Sequence, residues 1–163
     1  MLAQQRSQAQ EATAWLTDWE LTTEVLCLQE HQLMGDKAGD AAAWPAGRGW
    51  SSVWEEAQPT EGGGTMGGLA VAVRSHWGVR APPAARGPIT VVPGRAMHVV
   101  VDSPDGDTIE VINVYAIHSL GIVGENVEVL AAIGKRVAAA EHPWAVGGDW
   151  NVAPSLAGGL RLA

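Results

Sequence analysis

Three apolar stretches of this 163-residue chain stop on polar side chains. "EVLCLQE" (24–30) ends at Gln29-Glu30. "TIEVINVYA" (108–116) carries Asn113 and Tyr115 to its end, with His118 just beyond. "PWAVGGDWN" (143–151) ends at Asp149 and Asn151, with Trp150 between them. Ends of neighbouring strands converge in space. Glu, Tyr, His, Asp and Asn gathered in that way form an oxygen-rich cluster with one imidazole. Such a set suits Mg²⁺ or Mn²⁺, which take carboxylates and water. It does not suit zinc, and the single cysteine, Cys27, rules out a thiolate cluster.

The last stretch explains its own composition. Asp149 and Asn151, two apart on an extended chain, should point to one side and Trp150 to the other, as a core anchor. Gly147 and Gly148 should let the backbone approach its neighbours closely. One face would then carry a carboxylate and a neutral hydrogen-bonding amide.

The elements that must position these groups follow from periodicity. Residues 5–19 read as a helix, with Ala12, Trp15, Leu16 and Trp19 on one face. The continuous apolarity of 24–30 predicts a strand covered on both faces. Residues 34–68 are rich in Gly, Ala and acids, with Trp44, Trp50 and Trp54 expected to pin them to the body. "EGGGTMGG" (61–68) precedes a strand and lacks a Gly-Lys-Ser/Thr ending, which makes it a loop and not a phosphate-binding turn. "LAVAVR" (69–74) is a strand and "GVRAPPAARGP" (78–88) a loop. "RAMHVVVD" (95–102), "SPDGD" and "TIEVINVYA" predict a hairpin, with Met97, Val99 and Val101 on one side. Residues 122–140 predict a helix that buries Val123, Val127, Leu130 and Val137. "PWAVGGDWN" is a final strand. Hairpins among few helices favour a mixed α/β layered fold.

The composition is that of a globular protein, 47% hydrophobic, with eight tryptophans and no phenylalanine. A net charge of −8 is poor material for tight non-specific DNA binding. It leaves room for an enzyme that meets phosphate through a metal ion. Arg74, Arg80, Arg86 and Arg95 lie in one span otherwise free of charge. Cys27 reads as a small buried hydrophobe, and His31, His76, His98 and His142 as structural or exposed. The N-terminus lacks the apolar core of a signal peptide, and no apolar run approaches the roughly 20 residues of a membrane helix. An intracellular location is the default expectation, with no membrane partner.

Four stretches together resemble the endonuclease/exonuclease/phosphatase superfamily: "VLCLQEHQL", "GGLAVAVR", "VINVYAIHS" and "VGGDWNVAPS", in that family's order. The resemblance implies a DNase I-like four-layer α/β/β/α sandwich with mixed sheets. It also implies a divalent-metal-dependent phosphodiester hydrolase, closest to the abasic-site and retroelement endonucleases, with nucleic acid as substrate and Mg²⁺ or Mn²⁺ as cofactor. Carried over by position, Glu30 is the metal ligand and Tyr115 stands near the scissile phosphate. Asp149 orients or activates the attacking water, and Asn151 helps hold the phosphate. His118 falls where relatives often carry another polar residue.

The sequence departs from the pattern in several places. Trp150 replaces a phenylalanine and Ile117 a proline. The family's first strand, ending in Asn, and its later Asp and Asp-His pair have no counterpart here. The expectation is a single incomplete domain over residues 1–163, completed by a further segment or a partner chain. The competing expectation is a non-catalytic remnant or interaction module on the same fold.

Overall fold

A computed structural model of the chain describes residues 23–118 and 121–151. The helix expected over 5–19 lies outside them. Strands β1 (Val25–Gln29), β2 (Trp50–Glu55) and β5 (Leu69–Arg74) form one antiparallel sheet in the order β1-β5-β2. Strands β6 (Gly78–Arg80), β7 (Thr90–Val92), β8 (Ala96–Asp102), β9 (Thr108–Tyr115) and β10 (Trp144–Asp149) form a second. Its order is β10-β9-β8-β6, with β7 also on β8. The β8-β9 hairpin is antiparallel and β9-β10 is parallel, so this sheet is mixed. β3 (Gln58–Pro59) and β4 (Thr65–Met66) make a small separate ladder.

Side-chain alternation sorts the residues into four layers. Leu69, Val71 and Val73 of β5 meet Met97, Val99 and Val101 of β8 between the sheets, joined by Val111 and Tyr115. The one-sided placement expected for the hairpin is therefore observed. Alternate residues cover the outer faces. Ala72 packs on Trp50, with Leu26 and Trp44 beside them. Helix α1 (Asp36–Ala43) lays Ala38 and Ala41 against Leu33 and Trp54. Helix α2 (Glu125–Ala138) lays Val129 and Ile133 over Ala96, Ile112 and Val114 on the far side of the second sheet. The result is the α/β/β/α sandwich.

Helix α2 buries a different face from the one expected. Asn126, Val129 and Ile133 are buried, whereas Val123 and Val127 are 56% and 47% exposed. Val137 packs at the edge of the cluster. The helix rotates in this way because Asn126 is needed inward: its amide bonds the backbone of Ile117 and Gly121. Glu125 and Glu128 in the first turn and Lys135 and Arg136 in the last complement the helix dipole.

Two stretches for which no helix or strand was expected hold regular structure. Residues 34–68 contain α1, a 3-10 turn (Pro45–Arg48), β2, β3 and β4, and β6 opens the 78–88 segment. Trp50, 1% exposed, does pin its strand. β1 is covered on both faces but only half-buried, since no strand pairs its outer edge among the described residues. Cys27 shares that half-burial, which pushes its thiol up to about 11. No helix among the described residues is long and apolar enough to cross a membrane.

Candidate active site

The polar strand ends converge at one end of the sandwich. Parallel pairing sets Tyr115 and Asp149 level, as register partners at the ends of β9 and β10. β1 packs beside both strands and delivers Glu30 at the same end. Asn113 fixes this approach of the two sheets. It is fully buried on β9, and its amide donates to the Leu28 carbonyl at 2.8 Å and the Ala70 carbonyl at 2.9 Å. Its oxygen accepts from Gln29 Nε2 at 2.6 Å. The chain is thus anchored one residue before Glu30 and two before Tyr115.

Glu30 is exposed and adopts φ 58°, in the left-handed region. Gln32 (φ 56°) and Asn151 (φ 48°) share this uncommon backbone. Strain of this kind is costly outside glycine and gathers at functional sites. His31 holds the Glu30 turn: its Nδ1 accepts from the Leu33 N–H at 3.1 Å and its Nε2 faces the Glu55 carbonyl at 3.0 Å. A ring that accepts at one nitrogen and donates at the other is neutral. Burial lowers its pKa accordingly, against the pull of the Leu69 and Glu55 carbonyls.

Tyr115 is buried, and its hydroxyl faces Glu30 and Arg95. Burial pushes the phenol above its ordinary value, the hydrogen bond and charge of Glu30 add to the push, and Arg95 pulls it back. The Arg95 guanidinium lies 5.0 Å from the ring centroid.

Asp149 is exposed, and its Oδ1 accepts from the Asn151 N–H at 3.0 Å. The chain therefore turns after Asp149 and does not remain extended to Asn151 as expected. The turn itself brings the amide back. Asn151 Nδ2 donates to the Ala116 carbonyl at 2.8 Å, and its Oδ1 lies 3.1 Å from His118 Nδ1. Trp150 packs with the α2 cluster, the anchor expected of it. Of the two glycines, Gly148 is the one the geometry requires. It has φ 143°, and a Cβ there would stand 2.0 Å from the Val114 carbonyl oxygen. Nothing lies within 4 Å of the same position on Gly147.

All five residues singled out in the sequence, Glu30, Tyr115, His118, Asp149 and Asn151, stand at this end. Of the supporting residues, the sequence marks Asn113 as part of a polar strand end and His31 as structural or exposed; Asn126 and Glu55 are not singled out. Asn113 and Glu55 act on backbone groups distant in sequence, His31 on both Glu55 and its neighbour Leu33, and Asn126 on the loop just ahead of its helix. Among the described residues no three His, Cys, Asp or Glu side chains cluster as a metal cage.

The comparisons agree with this architecture. A search of the curated proteins found no match. Among solved structures, the crystal structure of ANGEL2, a 2′,3′-cyclic phosphatase, superimposes with a TM-score of 0.55 at 15% identity. The match covers 90% of this chain and 42% of that one, so this chain spans less than half of that protein's length. ANGEL2 has the DNase I-like fold, and the likeness establishes that fold here. The model of the endonuclease/exonuclease/phosphatase family matches residues 4–163. With nearly its whole length matched, the chain belongs to the endonuclease/exonuclease/phosphatase family.

Proposed function

We propose that this chain carries the phosphoesterase site of a divalent-metal-dependent phosphodiester hydrolase that acts on nucleic acid, in the manner of an endonuclease. The observation that carries the reading is the convergence of Glu30, Tyr115 and Asp149 from three strands onto one end of the sandwich. Family membership and the phosphatase activity named for ANGEL2 support phosphate-ester chemistry. "VINVYA" favours the abasic-site and retroelement branch.

Enzymes of this family generally use a divalent metal ion. The residues fit one: the groups at the site are oxygen donors apart from His118, and Glu30 is open to solvent. Mg²⁺ or Mn²⁺ needs only one or two protein carboxylates and completes its shell with water and phosphate, so a closed cage is unnecessary. Glu30 would hold the ion, which when bound supplies charge neutralisation at the phosphate. The chain's own residues do the rest. Asp149, fixed by the Asn151 N–H, orients or deprotonates the attacking water. Asn151, tied to Ala116 and His118, presents its amide to a phosphate oxygen. The Tyr115 hydroxyl, kept protonated by burial and Glu30, donates a hydrogen bond.

The outer edges of β1 and β10 are unpaired among the described residues, and the two strands lie side by side. A further segment or partner chain completing the domain would add there.

The test is nicking of supercoiled plasmid and of an abasic oligonucleotide in Mg²⁺. Glu30→Ala and Asp149→Ala should each reduce cleavage by on the order of 100-fold or more. Cleavage that survives in both variants overturns the site. No cleavage by the unaltered chain favours the interaction-module reading.

A further inference from the structure

Arg95 immediately precedes β8 at the site end, on the turn from β7. Its backbone is fixed twice: its N–H donates to the Val92 carbonyl at 2.9 Å, and its carbonyl accepts from the Tyr115 N–H at 2.8 Å. Its guanidinium reaches over the Tyr115 ring and has one further contact, Met66 Sδ at 3.8 Å. Among the described residues no ion pair engages it. A half-buried guanidinium over the ring of a tyrosine at the site end, with donors to spare, is suited to a tetrahedral oxyanion.

A second observation concerns how Arg95 is held. Glu55, 8% exposed at the end of β2, sends its carboxylate across from the first sheet to accept the Gly94 N–H at 2.8 Å. Its other oxygen is buried without a partner. A buried carboxyl left half-satisfied is expensive, and the one contact it makes fixes the residue before Arg95. Gly67 backs the same turn: a Cβ there would stand 2.3 Å from the Gly94 carbonyl oxygen. The turn is thus clamped from the opposite sheet and cannot swing.

We propose that Arg95 is the phosphate-binding cation of this site and that Glu55 is the positioning residue that holds it, through Gly94, over Tyr115. The inference rests on the hydrolase reading only for the identity of the anion, a phosphate ester of the substrate. Free phosphate shares the same chemistry and serves as the probe.

The chain has a single tyrosine, so incorporation of fluorotyrosine gives one fluorine NMR resonance, at Tyr115. Titration of the full chain with inorganic phosphate should shift that resonance saturably. Arg95→Gln should weaken binding about tenfold or more, and Arg95→Lys less, since it keeps the charge but loses the fork. Glu55→Ala should weaken it several-fold, and Glu55→Gln, which retains an acceptor for Gly94, should restore it. In the unaltered protein, phosphate should protect Arg95 from phenylglyoxal, a readout that needs no variant to fold. Unchanged affinity in Arg95→Gln, or no protection of Arg95, overturns the proposal. Phosphate binding that needs Arg95 in a chain that cleaves nothing would sink the hydrolase reading alone. Cleavage with phosphate affinity indifferent to Arg95 would sink this assignment alone.

Discussion

The Asn113 side chain on β9 donates a 2.9 Å hydrogen bond to the Ala70 carbonyl on β5, joining the two sheets at the end where the strand termini meet. With Leu28 and Gln29 also engaged, this one amide sets the spacing between the strand that bears Glu30 and the strand that bears Tyr115. Asn113→Ala should cost about 2–4 kcal/mol in urea unfolding, because it strands partners inside the core. Gln29→Ala, which removes one half-buried partner, should cost about 1 kcal/mol. Equal costs for the two would show that the amide is not the bridge.

Glu55 makes stability depend on pH in a defined direction. Burial raises its carboxyl from the ordinary 4.5 to about 7, while the Gly94 N–H pulls the other way. Between those values the folded chain keeps a proton that the unfolded chain releases. Its contribution is therefore full in acid and is lost as pH rises through about 7. Glu55→Gln should be more stable than the parent by about 2–3 kcal/mol above pH 8, with a gap that closes below pH 5. A pH-independent gap in denaturant melts would place the carboxyl's proton elsewhere.

Asn151 separates backbone from side chain. At φ 48° glycine is at ease, asparagine tolerated and alanine strained. Asn151→Gly should be more stable than Asn151→Ala by about 1 kcal/mol. Both should lose plasmid nicking alike, since both lack the amide. Activity that survives in the glycine variant would assign Asn151 a conformational role only.

The two faces of α2 should answer differently to substitution. Ile133→Ala should cost about 2–4 kcal/mol, as a cavity beneath the helix. Val127→Lys should stay within about 0.5 kcal/mol, because that side chain is already in water. The opposite ranking of thermal midpoints would restore the face that apolar periodicity alone selects.

That face shows where the sequence is legible and where it is not. Strands such as β5 and the β8-β9 hairpin announce themselves because each residue's side is set by period two and by what it packs against. Over 122–140, Val123, Val127, Leu130 and Val137 form the apolar stripe that periodicity selects, and the deciding residue is polar. Asn126 turns inward to satisfy a loop that local pattern does not reveal. The site divides in the same way. Glu30, Tyr115, His118, Asp149 and Asn151 sit in short stretches whose composition is odd for a strand end. Glu55 and Arg95 are ordinary charged residues until a fold brings β2 against the turn before β8. Trp50 and Trp54 look like loop anchors because Ser51 and Ser52 interrupt the apolar run. The alternation becomes visible only once Ala70 and Ala72 of β5 are seen opposite Trp54 and Ser52.

The register match of Tyr115 with Asp149 has an evolutionary corollary. Hydrogen bonds between two adjacent parallel strands hold these residues abreast, whatever the length of chain that joins them. Insertions or deletions in the connection ahead of α2 would reshape the surface beside this end of the sandwich while leaving the two side chains abreast.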